Sequence, residues 1–287
     1  LTDPELIEHM VGMSVPPLPV ERTPVEDHAV RVLDIQDVVA EGDDGTTALR
    51  SVTLEVRAGE LVGVAGIAGN GQRELYEVAL GLRSLEAGTV MLGGDPIDRD
   101  QVRRSMSKGA VGIPEDPITD AVVPGLSVAE HVALDELPRF RKGVGVDWAA
   151  VRERLDELDE HTGLSLAAGD RLVADLSGGN IQRVMLARAL GTERQLVVAA
   201  YPSRGLDIAK TRRTQELLLE HRARGAGVLL ISEDLDELLE LSDRIVVLNA
   251  GAIVADLDPR ATDRFEIGAL MIRSDVVPAR TGEGMPT

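Results

Sequence analysis

Cysteine is absent from all 287 residues. That excludes a disulfide framework and thiolate metal sites. Aromatic residues are scarce, with one Trp, two Tyr and two Phe, so the core must be built from Leu, Val, Ile and Ala. No apolar run reaches the roughly 18–20 residues of a membrane-spanning helix. The opening "LTDPELIEHM" lacks the basic-then-apolar pattern of a leader peptide. It starts on Leu1 rather than methionine, and reads as a piece of a longer protein. Lysine is nearly missing: Lys108, Lys142 and Lys210 are the only ones among 30 basic residues. Against 49 acidic residues the net charge is −19. Broad contact with nucleic acid or anionic lipid needs a basic face, so no nucleic-acid partner is expected. The composition suits a soluble cytoplasmic domain with a solvated acidic surface.

The 44% hydrophobic content is ample for a core. Residues 13–28 hold "PPLP" and scattered charges and read as a linker. Two β-like runs follow, "AVRVLDIQDV" and "ALRSVTLEV", parted by "EGDDGTT". "ELVGVAG" is a short buried strand. "GQRELYEVALGL" has helical spacing at Leu75, Val78, Ala79 and Leu82. "GTVMLGG" and "GAVGIP" read as strands. From about 120 to 172 the pattern turns helical: Ser127 and Glu130 have capping-box spacing, and "DWAAVRERLDELDEHTGL" is amphipathic. Strand and helix then alternate through "QLVVAAY", "DIAKTRRTQELLLEHRARG", "AGVLLIS" and "DLDELLELS". "DRIVVLNAGAIVADL" reads as a hairpin around Asn249-Ala250-Gly251. This alternation predicts an α/β domain with a largely parallel core sheet, an antiparallel β portion and an inserted helical subdomain. His131, His161 and His221 lack ligand-like pairing and read as surface or helix residues. Residues 274–287 are polar and expected to be frayed.

"TDPELIEHMVG" (2–12) and "TDRFEIGALMIR" (262–273) resemble each other. In each, Thr is placed to cap a short helix. The second copy closes the α/β domain. The first, with no domain ahead of it, reads as the tail of a preceding homologous domain.

"GIAGNGQREL" lies where a phosphate-binding loop belongs, between an apolar strand and a helix. Such a loop aims backbone N–H groups at phosphates, at a helix N-terminus whose dipole favours anions. Gly66, Gly69 and Gly71 keep that capacity. The lysine that should contact the terminal phosphates is Gln72, and the hydroxyl that should hold Mg²⁺ is Arg73. Glu74 adds a carboxylate. The rival dinucleotide fingerprint needs a third glycine where Glu74 stands.

"LSGGNIQRVMLARAL" (176–190) is more specific. Ser177, Gly178 and Gly179 precede an amphipathic helix with Ile181, Val184, Met185 and Leu190 on its apolar face, and form an anion-binding helix start. With "GVAGIAGNGQREL", "IPEDP", "YPSRGLD" and "ISEDLDELLELSDRIVVL", the chain resembles the ATP-binding cassette (ABC) family over about residues 28–273. It looks like the second, degenerate cassette of tandem importer ATPases for sugars and nucleosides, and "NGQ" leans toward the nucleoside side.

The resemblance implies a P-loop ATPase fold and a division of labour. In the family, two cassettes enclose two ATP molecules head to tail, each site pairing one phosphate loop with the other cassette's LSGG signature. Here the signature residues Ser177, Gly178, Gly179, Asn180 and Gln182 and the D-loop residue Asp207 match the pattern. The own-loop residues Gly66, Gly69, Asn70, Gly71, Gln72, Arg73 and Glu74 would hold nucleotide only weakly. Ala200 replaces the strand-end aspartate, Tyr201 the catalytic glutamate, Glu233 the switch histidine and Glu115 the Q-loop glutamine. No aromatic stands at 36–48 to stack on adenine. ATP with Mg²⁺ is therefore expected at a partner cassette's site, and no metal at this chain's own. The implied partners are a preceding cassette, membrane permease subunits and, indirectly, a substrate-binding protein, at the cytoplasmic face of the membrane. The helical span would meet the permease, with Glu115 and Asp116 coupling nucleotide closure to transport. A nucleotide-responsive interaction module outside transport stays open as an alternative.

Overall fold

The computed structural model describes Leu18, Val25 and residues 29–97 and 106–272. The first copy of the repeat, most of the linker and the 274–287 tail lie outside the described residues.

Six strands form the central sheet, in the order β12 (Ala252–Leu257), β11 (Arg244–Asn249), β3 (Leu61–Ala65), β10 (Gly227–Ser232), β9 (Leu196–Ala200) and β6 (Ala110–Ile113). All pairs are parallel except β11 with β12. β3, β9 and β10 are buried along their whole length, because both faces of the sheet are covered. On one face lies an antiparallel sheet ordered β2 (Thr47–Arg57), β1 (Arg31–Glu41), β4 (Ala87–Leu92) and β5 (Asp95–Pro96). Side chains of β1, β2 and helix α1 (Gln72–Ala79) meet Leu196, Val198, Leu229 and Ile231 there.

The opposite face packs Val197, Ala199, Val228 and Leu230 against the later helices. In chain order, helices α2 (Pro117–Asp120), α3 (Val128–Asp135) and α4 (Trp148–Thr162) precede α5 (Gly178–Leu190). α6 (Ile208–Ala223), α7 (Leu235–Leu241) and α8 (Arg264–Met271) follow. Leu18, inside the span read as linker, is buried in this second core. The helical arm has its own core, in which Val128, Val132, Leu155 and Leu158 meet Ile181, Val184 and Met185 of α5. The arm is thereby fixed to the helix that carries the LSGG start.

Several local expectations match. Ser127 and Glu130 form both halves of a capping box. β11 and β12 are joined through Ala250 (φ 47°) and Gly251 (φ 80°), a left-handed pair that fits the twist of a two-residue hairpin. Others are corrected. α1 stops at Ala79 and Leu82 is 42% exposed; Gly81 at φ 71° ends the helical spacing that Leu82 would continue. The cap of α8 is Asp263, which accepts the N–H groups of Phe265 and Glu266, while Thr262 donates to Glu266. The arm also carries a small hairpin, β7 (Arg141–Lys142) with β8 (Gly145–Val146), within the span read as helical.

Candidate functional site

A parallel sheet gathers its connecting loops at the C-terminal ends of its strands. Here that edge brings together residues 66–73 after β3, 114–116 after β6, 200–201 at the end of β9 and 233 after β10.

The glycine loop is closed on its own side chain. Gln72 is 4% exposed. Its Nε2 donates to the Ile67 carbonyl at 2.6 Å, and its Oε1 accepts the Asn70 N–H at 3.1 Å. One loop amide is thus already satisfied by a neutral group. A Cβ at Gly66 would lie 2.6 Å from Gln72 Nε2, so the tuck needs glycine there. The loop is also anchored from outside. Gly251 N–H donates to the Asn70 carbonyl, and Asn70 Nδ2 reaches the Leu248 and Met271 carbonyls. Gly71 at φ 103° lies against Ala48 and Leu49.

Arg73 points away from the loop. It donates to Glu77 at 3.0 Å and pairs with Asp43 and Asp120 at 3.5 and 4.0 Å. It borders a cleft of about 1040 Å³ whose lining includes Asp43, Glu77, Glu115 and Asp120 against Arg73, Arg83 and Arg204. Burial holds the Asp120 carboxyl above its usual range, with like charges on Asp116, Glu77 and Asp43 adding to that. The carboxylates of this lining outnumber its guanidinium groups, which does not favour a triphosphate.

The strand-end chemistry is equally unsuited. Ala200 is buried and offers no oxygen ligand. Tyr201 holds φ 48°, and burial, aided by Glu233 and Glu115, pushes its phenol up to about 12. A phenol protonated at neutral pH cannot take a proton from water. Glu233 is exposed. Glu115 pairs with Arg204 at 2.7 Å, tying the segment after β6 to the loop after β9. Asp116 caps α2 and accepts the Thr119 hydroxyl, which holds its carboxyl below the usual range. The residues present do not fit Mg²⁺–ATP at this chain's own loop.

The LSGG helix start has the opposite character. Ser177 and Gly178 are exposed and Gly179 and Asn180 partly so. The first α-helical bond runs from Ile181 N–H to the Ser177 carbonyl, and Ser177 makes no side-chain cap. The amides of Gly178, Gly179 and Asn180 therefore face outward at the positive end of a thirteen-residue helix. Ser177 Oγ accepts Asn180 Nδ2 at 3.0 Å, which ties the hydroxyl to the first turn of the helix. Asn180 Oδ1 in turn accepts from Arg183. Gln182 sits elsewhere: it is 3% exposed, and its Nε2 donates to the Pro202 carbonyl at 2.9 Å, a contact that positions the helix. Asp207 is exposed and caps α6 through the Lys210 N–H.

Of the two readings offered for the histidines, surface or helix, His131 and His221 take the helix one, on α3 and α6, and neither is at the surface. His131 and His221 are 0% and 2% exposed. His131 Nδ1 donates to the Ser127 carbonyl and its Nε2 accepts the Val123 N–H; His221 Nε2 donates to the Leu190 carbonyl. Burial depresses the basicity of both. Sequence reasoning also missed Ser203 and Glu237, which meet in the interior. Glu237 stands in "DLDELLELS", which reads as a helix, and no local signal separates it from its acidic neighbours.

Comparison with known proteins identifies the family of the chain. Residues 49–200 match the family profile described as ABC transporter. The chain is 37% identical over 282 residues to the glucose import ATP-binding protein TsgD13 of Haloferax volcanii, covering 97% of this chain and 51% of that one. It is 34% identical to the nucleoside import ATP-binding protein NupA of Lactococcus lactis, covering 96% and 54%. The chain thus spans about half the length of the curated relatives it matches. Among solved structures, an ATP-binding subunit of an ABC transporter superposes with TM-score 0.70 at 24% identity, covering 84% of this chain and 100% of that one. A cassette dimer bound to ADP and phosphate gives 0.70 at 22% identity, covering 80% and 100%. The profile match and the sequence similarity, with a fold that agrees, place the chain in the ABC transporter family, among its ATP-binding domains.

Proposed function

We propose that this chain is the second cassette of a tandem importer ATPase for simple sugars or nucleosides, and that it completes its partner's ATP site while its own is degenerate. The carrying observation is an asymmetry: Gln72 fills the glycine loop, whereas the amides of the LSGG start face outward beside an exposed Ser177. The half-length match to importer ATPases supports a missing companion cassette.

In this reading the preceding cassette binds ATP and Mg²⁺ and breaks the bond. Ser177 and the amides of 178–180 stabilise charge on the terminal phosphate, as fixed donors do in phosphoryl transfer. Asp207 stands at the same face, and Gln182 fixes the helix against Pro202. The helical arm docks on permease subunits, and Glu115 and Asp116 sit at its hinge. A substrate-binding protein acts through the permease, and the assembly works at the cytoplasmic face of the membrane. No described helix is long and apolar enough to cross a membrane, which suits a peripheral subunit.

The test is Mg²⁺-dependent ATP hydrolysis by this chain alone. The expected result is no turnover above background. A robust rate that Gln72→Ala abolishes contradicts the proposal.

A further inference from the structure

Glu237 on α7 is 5% exposed, and among the described residues it forms no ion pair. Three neutral donors from three other elements converge on it. Ser203 Oγ and Gln215 Nε2 donate to Oε1 at 2.8 and 3.2 Å, and Ser232 Oγ donates to Oε2 at 2.8 Å. Ser203 belongs to the loop after β9, Gln215 to α6, and Ser232 is the last residue of β10. Ser232 Oγ also accepts the Asp234 N–H, so its one proton is directed to Glu237. The carboxylate acts purely as an acceptor, a role that an amide fills at only one of its two polar atoms.

The 201–207 loop is in turn fused to the LSGG helix. Gln182 binds the Pro202 carbonyl. A Cβ at Gly179 would stand 2.8 Å from the Gly205 carbonyl, a backbone atom that cannot swing aside. The first turn of α5 and the loop carrying Asp207 therefore form one platform, and Glu237 hangs that platform on β10.

We infer that Glu237 is a positioning residue for the surface this chain presents to its partner, fixing the loop that orients Ser177 and Asp207. The inference rests on the proposed role of that surface. It requires geometry, not contact: Glu237 touches no nucleotide and acts through Ser203, Pro202 and Gln182. Buried groups sharing one network couple, and their substitutions are not additive.

The experiment measures ATP turnover by the full-length tandem protein with its permease subunits, alongside thermal unfolding. Glu237→Gln keeps the volume and removes one acceptor. The expected result is a kcat lowered about tenfold or more with KM for ATP within about twofold, the pattern of an interaction lost mainly in the transition state. Gln182→Ala, which cuts the platform's other tie, should give a similar loss, and the double variant should be little worse than either single one. Should Glu237→Gln fail to fold, Ser203→Ala removes a single donor and should show the same split to a smaller degree. A Glu237→Gln protein with unchanged kcat, or losses that multiply in the double variant, overturns the inference. Ser177→Arg separates the two levels. If it abolishes turnover while Glu237→Gln does not change it, the positioning role falls and the trans site stands. If both are silent, the trans site falls as well.

Discussion

At the scale of single residues, side-chain direction decides the chemistry. Gln72 has the length to reach back into its loop, and it places a donor on Ile67 and an acceptor on Asn70. Restoring one lysine therefore does not restore a site. Gln72→Lys should still give no Mg²⁺-dependent phosphate release from this chain, because Ala200 supplies no ligand oxygen and the Tyr201 phenol stays protonated; measurable turnover would show that the strand-end losses matter less than argued. The buried histidines carry a second prediction. The folded values of both lie below the ordinary 6.5, so the unfolded chain takes up these protons first. Their contribution is whole above about pH 6.5 and is lost as pH falls toward the folded values. Urea midpoints should decline between pH 7 and about 5.5, a window above ordinary carboxylate titration. His221→Gln should flatten that decline; an unchanged slope would point to other groups.

At the scale of elements, short-range chemistry was legible and long-range packing was not. The Ser127–Glu130 box and the Ala250–Gly251 turn depend on spacing within a few residues, and both are present. The end of α1 is hidden from a periodicity reading because Leu82 continues the apolar period, while Gly81 breaks it with a left-handed dihedral. Burial of His131 depends on Val123 and on the packing of the arm, which no local window records. The site was legible in part: the residue types at 72, 73, 200 and 201 can be read from the sequence, and the proposed loss of chemistry rests on them. The inward tuck of Gln72 and the buried seat of Gln182 depend on carbonyls at 67 and 202, whose positions follow from the fold. The hairpin offers a clean test of local strain. Ala250 holds φ 47°, a region that disfavours alanine by about 1–2 kcal/mol and suits Asn in this turn type. Ala250→Asn should raise unfolding stability by roughly 0.5–1 kcal/mol in urea melts. A loss of stability would mean that the turn geometry is not what limits this hairpin.

At the scale of the whole molecule, the acidic surface, the half-length match to importer ATPases and the unequal fates of loop and signature belong to one account. The central sheet delivers both features, and its two cores attach them differently. The loop is locked to the β11–β12 hairpin and α8, sealed around its own glutamine. The signature start is carried by α5, braced by the helical arm on one side and the 201–207 loop on the other, with its amides outward. On the proposed reading, such a chain works beside a second cassette. The most direct test is ATP hydrolysis by the full-length tandem protein carrying Ser177→Arg, a change that alters no phosphate loop. The account predicts near-complete loss of turnover with nucleotide loops intact; turnover equal to that of the unaltered protein would contradict it.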